Sequence, residues 1–132
     1  QAGLDAAGYS QPNQMGLVAC EAAYRAGGPW LGRLMRYLAE NWKMAEDFLS
    51  ERLPRVRLIR PEGTYLLWLD FRRLGLTAEE LENRLLRRAR LWLDSGPMFG
   101  PEGAGFARMN IACPRSVLRR ALRQLEAAVT AE

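Results

Sequence analysis

Apolar residues recur along this chain in two rhythms. In PWLGRLMRYLAENWKMAEDFLSERL (29–53), Leu31, Leu34, Met35, Leu38, Trp42, Ala45, Phe48 and Leu49 return at steps of three and four. That spacing lays one stripe along a helix of about six turns. A shorter helix is predicted over 14–25, ended by Gly27-Gly28, a pair able to supply the positive φ of a helix exit. Pro29 then suits the first turn of the long helix. Residues 1–13 hold no period and read as an irregular lead-in.

Beyond Pro54 the rhythm changes. VRLI (56–59) reads as a short strand, and TYLLWLD (64–70), apolar on both faces, as a covered and central one. Thr77-Ala78-Glu79-Glu80 is a capping box, with Leu81, Leu85 and Ala89 continuing the helix behind it. LWLD (91–94) reads as a third strand. A loop with five glycines or prolines between 96 and 103 follows, and loops carry function more often than scaffolds do. Residues 107–113 form the last strand and 114–129 the last helix, with Val117, Leu118, Ala121, Leu122, Leu125 and Val129 on one face. This order predicts an α+β fold: a small sheet of three or four strands packed against helices, with the long helix on its N-terminal side.

Composition narrows the chemistry. Among 132 residues, 48% are hydrophobic and 26% charged, as in a soluble globular domain, and no apolar run approaches the roughly 20 residues that span a bilayer. The opening QAGLDAAGYS has no basic flank followed by an apolar stretch, so no secretory leader and a cytoplasmic location are expected. Cys20 and Cys113 are expected to be buried, reduced thiols. With no histidine, imidazole metal sites, Ser-His-Asp triads and Cys-His pairs are all excluded, and no metal site is expected. The net charge is +4, yet of the 19 Lys plus Arg residues only Lys43 is a lysine. The basic runs 84–90 and 115–124 are interleaved with apolar helical stripes, which reads as solvated helix faces and argues against nucleic acid. No glycine pattern here matches a phosphate-binding or dinucleotide loop.

One residue stands apart. In GFARMNIACPRS (105–116), strand alternation points Arg108, Asn110 and Ala112 one way and Met109, Ile111 and Cys113 the other. The second set makes a core face; the first offers a guanidinium beside an amide. A planar five-donor fork on a rigid strand suits bidentate grip of a carboxylate. A salt bridge at the sheet edge is the alternative.

Three segments, GLVACEAAYRAG (16–27), PEGTYLLWLDFRRLGL (61–76) and LWLDSGPMFGPEGAGFARMNIACPRSVL (91–118), together resemble the carboxy-terminal part of fold-type I pyridoxal-phosphate enzymes of the class I/II aminotransferase superfamily. They are most like the cystathionine β-lyase or cysteine-sulfur lyase branch, for which Arg-x-Asn-x-Ala-Cys-Pro-Arg-Ser is the specific motif. The resemblance implies that Arg108 binds the substrate α-carboxylate, with Asn110 on the same face. It places Tyr65 at the start of the strand facing the substrate, the alternative being an ordinary core aromatic. It sets Gly96 and Phe99 near the substrate entrance, and 11–14 loosely matches a segment near the cofactor and the subunit interface.

The departures from that family are equally informative. Such enzymes bind the cofactor aldehyde on a lysine, which then moves the proton, but Lys43 sits mid-helix without the expected flanking pattern. The partner of the pyridine nitrogen, the stacking aromatic and the phosphate-binding cluster belong upstream in the family. The resemblance therefore implies roughly the last third of such an enzyme. Residues 1–28 would be a remnant of the large cofactor-binding domain, and 29–132 the small domain with its linking helix 29–53. Alone, the piece is expected to hold no pyridoxal phosphate, carry no catalytic residue and be inactive; joined to the missing N-terminal domain, it is expected to be part of a homodimer acting on an amino acid. An aminotransferase is the alternative within the enzyme class, since both use the same carboxylate arginine. A free-standing arginine-rich binding module, and a piece that self-associates through uncovered apolar faces, are alternatives outside it.

Overall fold

The computed structural model describes residues 2–8 and 13–130. The chain divides into two units, 1–36 and 37–132. The first holds α1 (Ala2–Ala6), α2 (Gln14–Ala26) and the opening of α3 (Gly28–Arg52). The lead-in expected to be irregular thus contains a short helix, while residues 11 and 12 of the loosely matched segment lie outside the described residues. Asn13 starts α2, its Oδ1 accepting the Gly16 N–H at 2.6 Å. The positive-φ exit expected at Gly27-Gly28 does not occur. Gly27 has φ −77, its N–H still donates to Ala23 O at 2.8 Å, and Gly28 already opens α3. No residue of α2 is buried, and Met15, Val18 and Tyr24 are exposed. Cys20 is exposed with them, against the expectation of a buried thiol, because nothing among the described residues covers that helix face.

The second unit is built on a four-stranded sheet in the order β1-β2-β4-β3, every neighbour antiparallel. The strands are β1 (Arg57–Ile59), β2 (Leu66–Asp70), β3 (Asp94–Ser95) and β4 (Phe106–Asn110). All are shorter than their sequence patterns. Strand β2 starts late because Thr64 takes a left-handed φ of 66, which breaks the ladder before Tyr65. Residues 91–93 stay outside β3 because Arg90, at φ 55, turns the chain there. Strand β4 stops at Asn110, whose Oδ1 accepts the Ala112 N–H at 2.7 Å in a local turn.

One face of the sheet is core. Leu67 and Leu69 of β2, Ala107 and Met109 of β4, and Ile111 beyond it pack with Ala45 and Leu49 of α3 and Leu118, Leu122 and Leu125 of α5 (Arg115–Thr130). Several residues of the sequence stripes fall outside that cluster: Leu31 and Met35 of α3 and Val117 of α5 are exposed. The capping box forms as expected at the start of α4 (Ala78–Asn83), with Glu80 N–H on Thr77 Oγ1 at 3.2 Å and Thr77 N–H on Glu80 Oε2 at 2.8 Å. Residues 84–88 then continue as a π-helix. Leu81, Leu85 and Ala89, all buried, recur every four residues, a step that overshoots an α-turn by about 40°; the wider π-turn removes that drift.

Asn41 ties the long helix to the sheet. Fully buried, it donates from Nδ2 to Ile111 O at 2.9 Å and to Cys113 O at 3.1 Å, and its Oδ1 accepts from Arg115 Nε at 3.2 Å. Arg115 also reaches Glu40 Oε2 at 2.6 Å and lies over the Tyr37 ring at 4.7 Å. Half-buried Cys113 has its thiol pKa raised by burial.

Two stability predictions follow from these contacts. Asn41→Ala leaves two carbonyls without donors and is expected to cost about 2–4 kcal/mol in urea unfolding, and Asn41→Asp, which sets an acceptor against both carbonyls, at least as much. Asp70 is held below the usual carboxylate range, first by its hydrogen bond from the Arg72 side chain. Its contribution is therefore complete above the ordinary carboxylate pKa of about 3.9 and disappears as pH falls through the lower folded value. Asp70→Asn is expected to lower stability at pH 7 by about 1–2 kcal/mol and to flatten the acid limb of a stability–pH curve.

Candidate functional site

The face of the sheet away from the core carries a row of paired chemistry. Strand register sets Arg108 opposite Trp68 of β2 on one side and opposite Asp94 of β3 on the other. Because partners across a ladder share a face, the three side chains lie on the same side of the sheet. Arg108 donates to Asp94 Oδ2 from Nε at 3.0 Å and from Nη2 at 2.7 Å. Its guanidinium carbon lies 4.6 Å from the Phe99 ring centroid, within cation–π range. Phe99 meets Trp68 edge-on at 5.5 Å, and Trp68 stacks on Phe106 at 5.4 Å. At the far end Arg72 lies over Phe106 at 4.6 Å and is paired to Asp70 through two side-chain bonds, Nε to Oδ1 at 2.9 Å and Nη2 to Oδ2 at 2.8 Å.

Arg108 therefore sits in a salt bridge, as the alternative reading of its position anticipated, but not at an edge. Strand β4 is paired on both sides, and the Arg108 side chain keeps a third of its surface open. Asp94 uses one oxygen on the Nε side of the fork. Among the described residues, Nη1 has no hydrogen-bond partner, so the end of the fork remains free for a second anion.

The other expected residues are distributed around this row. Phe99 is half-exposed and lies against Arg108. Gly96 is buried instead: a Cβ there would collide with the backbone of Gly103, and one on Gly103 with that of Gly96. The loop expected to be permissive is thus two short 3-10 turns, Gly96–Phe99 and Pro101–Gly103, locked glycine to glycine, and this packing presents Phe99. Asn110 is exposed and spends its Oδ1 on the Ala112 N–H. Tyr65 precedes β2, is exposed, and contributes its carbonyl to the Ile111 N–H at 2.9 Å.

Sequence reasoning did not single out Asp94, Trp68, Arg72 or Asn41. Asn41 carried a signal, a lone amide on the apolar stripe of the long helix. Asp94 carried none, because its meaning depends on a register that two residues of strand create. Lys43 is exposed on α3, and its amine is raised in pKa chiefly by a hydrogen bond to Asp47, with Glu46 adding to the effect. Such an ammonium is a poor nucleophile. Among the described residues no cluster of three or more Cys, Asp or Glu is placed to hold a metal, and no helix is long and apolar enough to cross a membrane.

No family model matches the chain. Relatives do match it over nearly all its length. It is 41% identical over 129 residues to cystathionine β-lyase PatB of Bacillus subtilis, covering 98% of this chain and 33% of that protein. A PLP-bound structure from Clostridium difficile 630, named as an aminotransferase, superposes with a TM-score of 0.94 at 40% identity, covering 98% of this chain and 33% of that one. The PLP-bound C-S lyase of Staphylococcus hominis gives 0.85 at 28% identity, covering 98% and 32%. The chain thus spans about a third of the length of the relatives it matches. It belongs, by its match to their carboxy-terminal portion, to the pyridoxal-phosphate enzymes of the class I/II aminotransferase superfamily, in the cystathionine β-lyase branch.

Proposed function

We propose that the chain serves as the carboxy-terminal portion of a PLP-dependent carbon–sulfur β-lyase, acting on cystathionine or a cysteine conjugate, and that Arg108 binds the substrate α-carboxylate. The observation that carries the reading is the free end of the Arg108 fork, held on a doubly paired strand and backed by Phe99. Two parallel N–H donors match a carboxylate in spacing and plane. A carboxylate fixed there restricts rotation of the amino acid about its Cα, which is how a binding group sets which bond faces a reaction partner.

On this reading the described residues of the chain supply no cofactor cradle. Lys43, the only lysine, is held as an ammonium by carboxylates on its own helix. The cofactor, its lysine and the proton transfers are assigned to an upstream portion. The same portion, or a second subunit, is the partner for the exposed apolar residues Met15, Val18, Tyr24 and Trp30 of the first unit. The chain alone is inactive on this reading, and the domain division into 1–28 and 29–132 belongs to the same proposal. The relatives named as cystathionine β-lyase or C-S lyase favour the lyase, and the aminotransferase name of the Clostridium difficile structure favours the second reading.

Two experiments test this. In the protein carrying this chain with its upstream portion, Arg108→Ala is expected to lower kcat/KM for a cysteine conjugate by about 10²–10³-fold, equivalent to about 3–4 kcal/mol of lost transition-state binding. Unchanged kinetics would remove the carboxylate role. The 132-residue chain incubated with pyridoxal phosphate and borohydride is expected to yield no stoichiometric adduct at Lys43 by mass spectrometry, and a stoichiometric one would contradict the division of labour.

A further inference from the structure

We infer that Asp94 is a positioning residue which fixes the Arg108 fork end-on toward the substrate and remains paired while the substrate carboxylate binds. The inference rests on the carboxylate reading of Arg108 and concerns what orients that group.

A guanidinium offers two bidentate edges, Nε with Nη2 along its side and Nη1 with Nη2 at its end. A carboxylate that occupied the end edge with both oxygens would be a resident competitor, and substrate would have to expel it. Asp94 does otherwise. A single oxygen, Oδ2, takes both side-edge donors, at 3.0 Å and 2.7 Å, so the second N–H of Nη2 and both of Nη1 remain for another anion. The Phe99 ring, 4.6 Å from the guanidinium carbon, limits tilting of the plane. Trp68, opposite Arg108 in register and edge-on to Phe99, holds that ring in turn. An arginine side chain has several free torsions; here one carboxylate and one ring remove most of them before any ligand arrives, which is the condition for directional binding at low entropic cost.

The arrangement also has an electrostatic consequence. The pair is neutral overall, so the site draws anions weakly at a distance and binds them by geometry at contact. Removing the carboxylate leaves a more positive but less oriented arginine. Loss of Asp94 is therefore expected to separate orientation from charge, which a purely structural defect would not do.

The test uses two preparations. In the 15N-labelled 132-residue chain, the Arg108 Nε–H is expected to exchange with water at least about tenfold more slowly than those of the exposed Arg119 and Arg120. That protection should survive 200 mM sodium acetate, with 200 mM sodium chloride as control, while the Arg108 Nη signals shift. Loss of Nε protection in acetate, with Nη shifts present, means that Asp94 is displaced and overturns the inference while leaving the carboxylate reading intact. In the protein with its upstream portion, dissociation constants for alanine and for its decarboxylated counterpart, ethylamine, are read from the cofactor absorbance. Asp94→Ala is expected to weaken alanine about tenfold more than ethylamine, and Asp94→Asn, which keeps an oxygen acceptor in place, to restore most of the difference. Equal weakening of both ligands, or tighter alanine binding, overturns the positioning role. Arg108→Lys measured in parallel isolates the other failure: if it leaves alanine binding unchanged, the carboxylate reading itself falls.

Discussion

The pairing of β4 between β2 and β3 is the constraint on which the open face of the sheet depends. Arg108 has Trp68 across one ladder and Asp94 across the other. A slip of one residue in either register would turn these side chains to the opposite face. Neither ladder is long: β3 contributes two residues, so its register is set less by its own hydrogen bonds than by what lies on either side. The left-handed Arg90 turns the chain into it, and the Gly96–Gly103 contact fixes the chain beyond it. Glycine is required at both positions because each backbone occupies the space of the other's Cβ. The placement of Asp94 on Arg108 is thus a product of backbone close packing several residues away.

The same strand faces the core with its alternate residues, and that face is secured independently. Asn41 satisfies the Ile111 and Cys113 carbonyls at the point where β4 has stopped pairing, while Arg115 joins the start of α5 to Glu40 and Tyr37 of α3. The Arg-x-Asn-x-Ala-Cys-Pro-Arg sequence therefore has two separable duties. Its first arginine serves the open face and its last anchors the chain to the helix beneath. Asn110, between them, ends the strand by turning its amide oxygen back onto the Ala112 N–H. Two arginines seven residues apart are distinguished by strand alternation followed by a helix start, not by anything in their local composition.

Much of this was legible from periodicity. The long helix, the capping box at Thr77, the central place of β2 and the alternation through Met109 and Ile111 follow from spacing that has a direct physical cause in burial. Less legible were the strand ends, because they were decided by the backbone angles of Thr64 and Arg90 and by the side chain of Asn110. The pairings of Asp94 and of Arg72 were not legible at all. They depend on which strands become neighbours, and β2 pairs with β4 across an intervening helix. Cys20, expected as a buried thiol, is exposed, and so are Leu31 and Met35: the apolar pattern is real, but among the described residues nothing covers these positions.

The open face also explains why an arginine can stand in the middle of a small sheet without a buried counter-layer. Its neighbours are aromatic, so the guanidinium loses little by leaving water on one side and gains the ring face of Phe99. The Asp94 carboxylate offsets its charge on a second side, and the third remains wet. Arg72 repeats the arrangement at the other end of the row with Phe106 and Asp70, but there the partner uses both oxygens and accepts the Arg72 backbone N–H as well. In that second pair the carboxylate is nearly buried while the guanidinium is mostly exposed. Both carboxylates take the Nε–Nη2 side of their arginine, with two oxygens at Arg72 and one at Arg108. What separates the pairs is setting: Arg72 stands at the rim with 61% of its side chain exposed, whereas Arg108, 33% exposed and on a strand paired on both sides, holds its open end within the sheet.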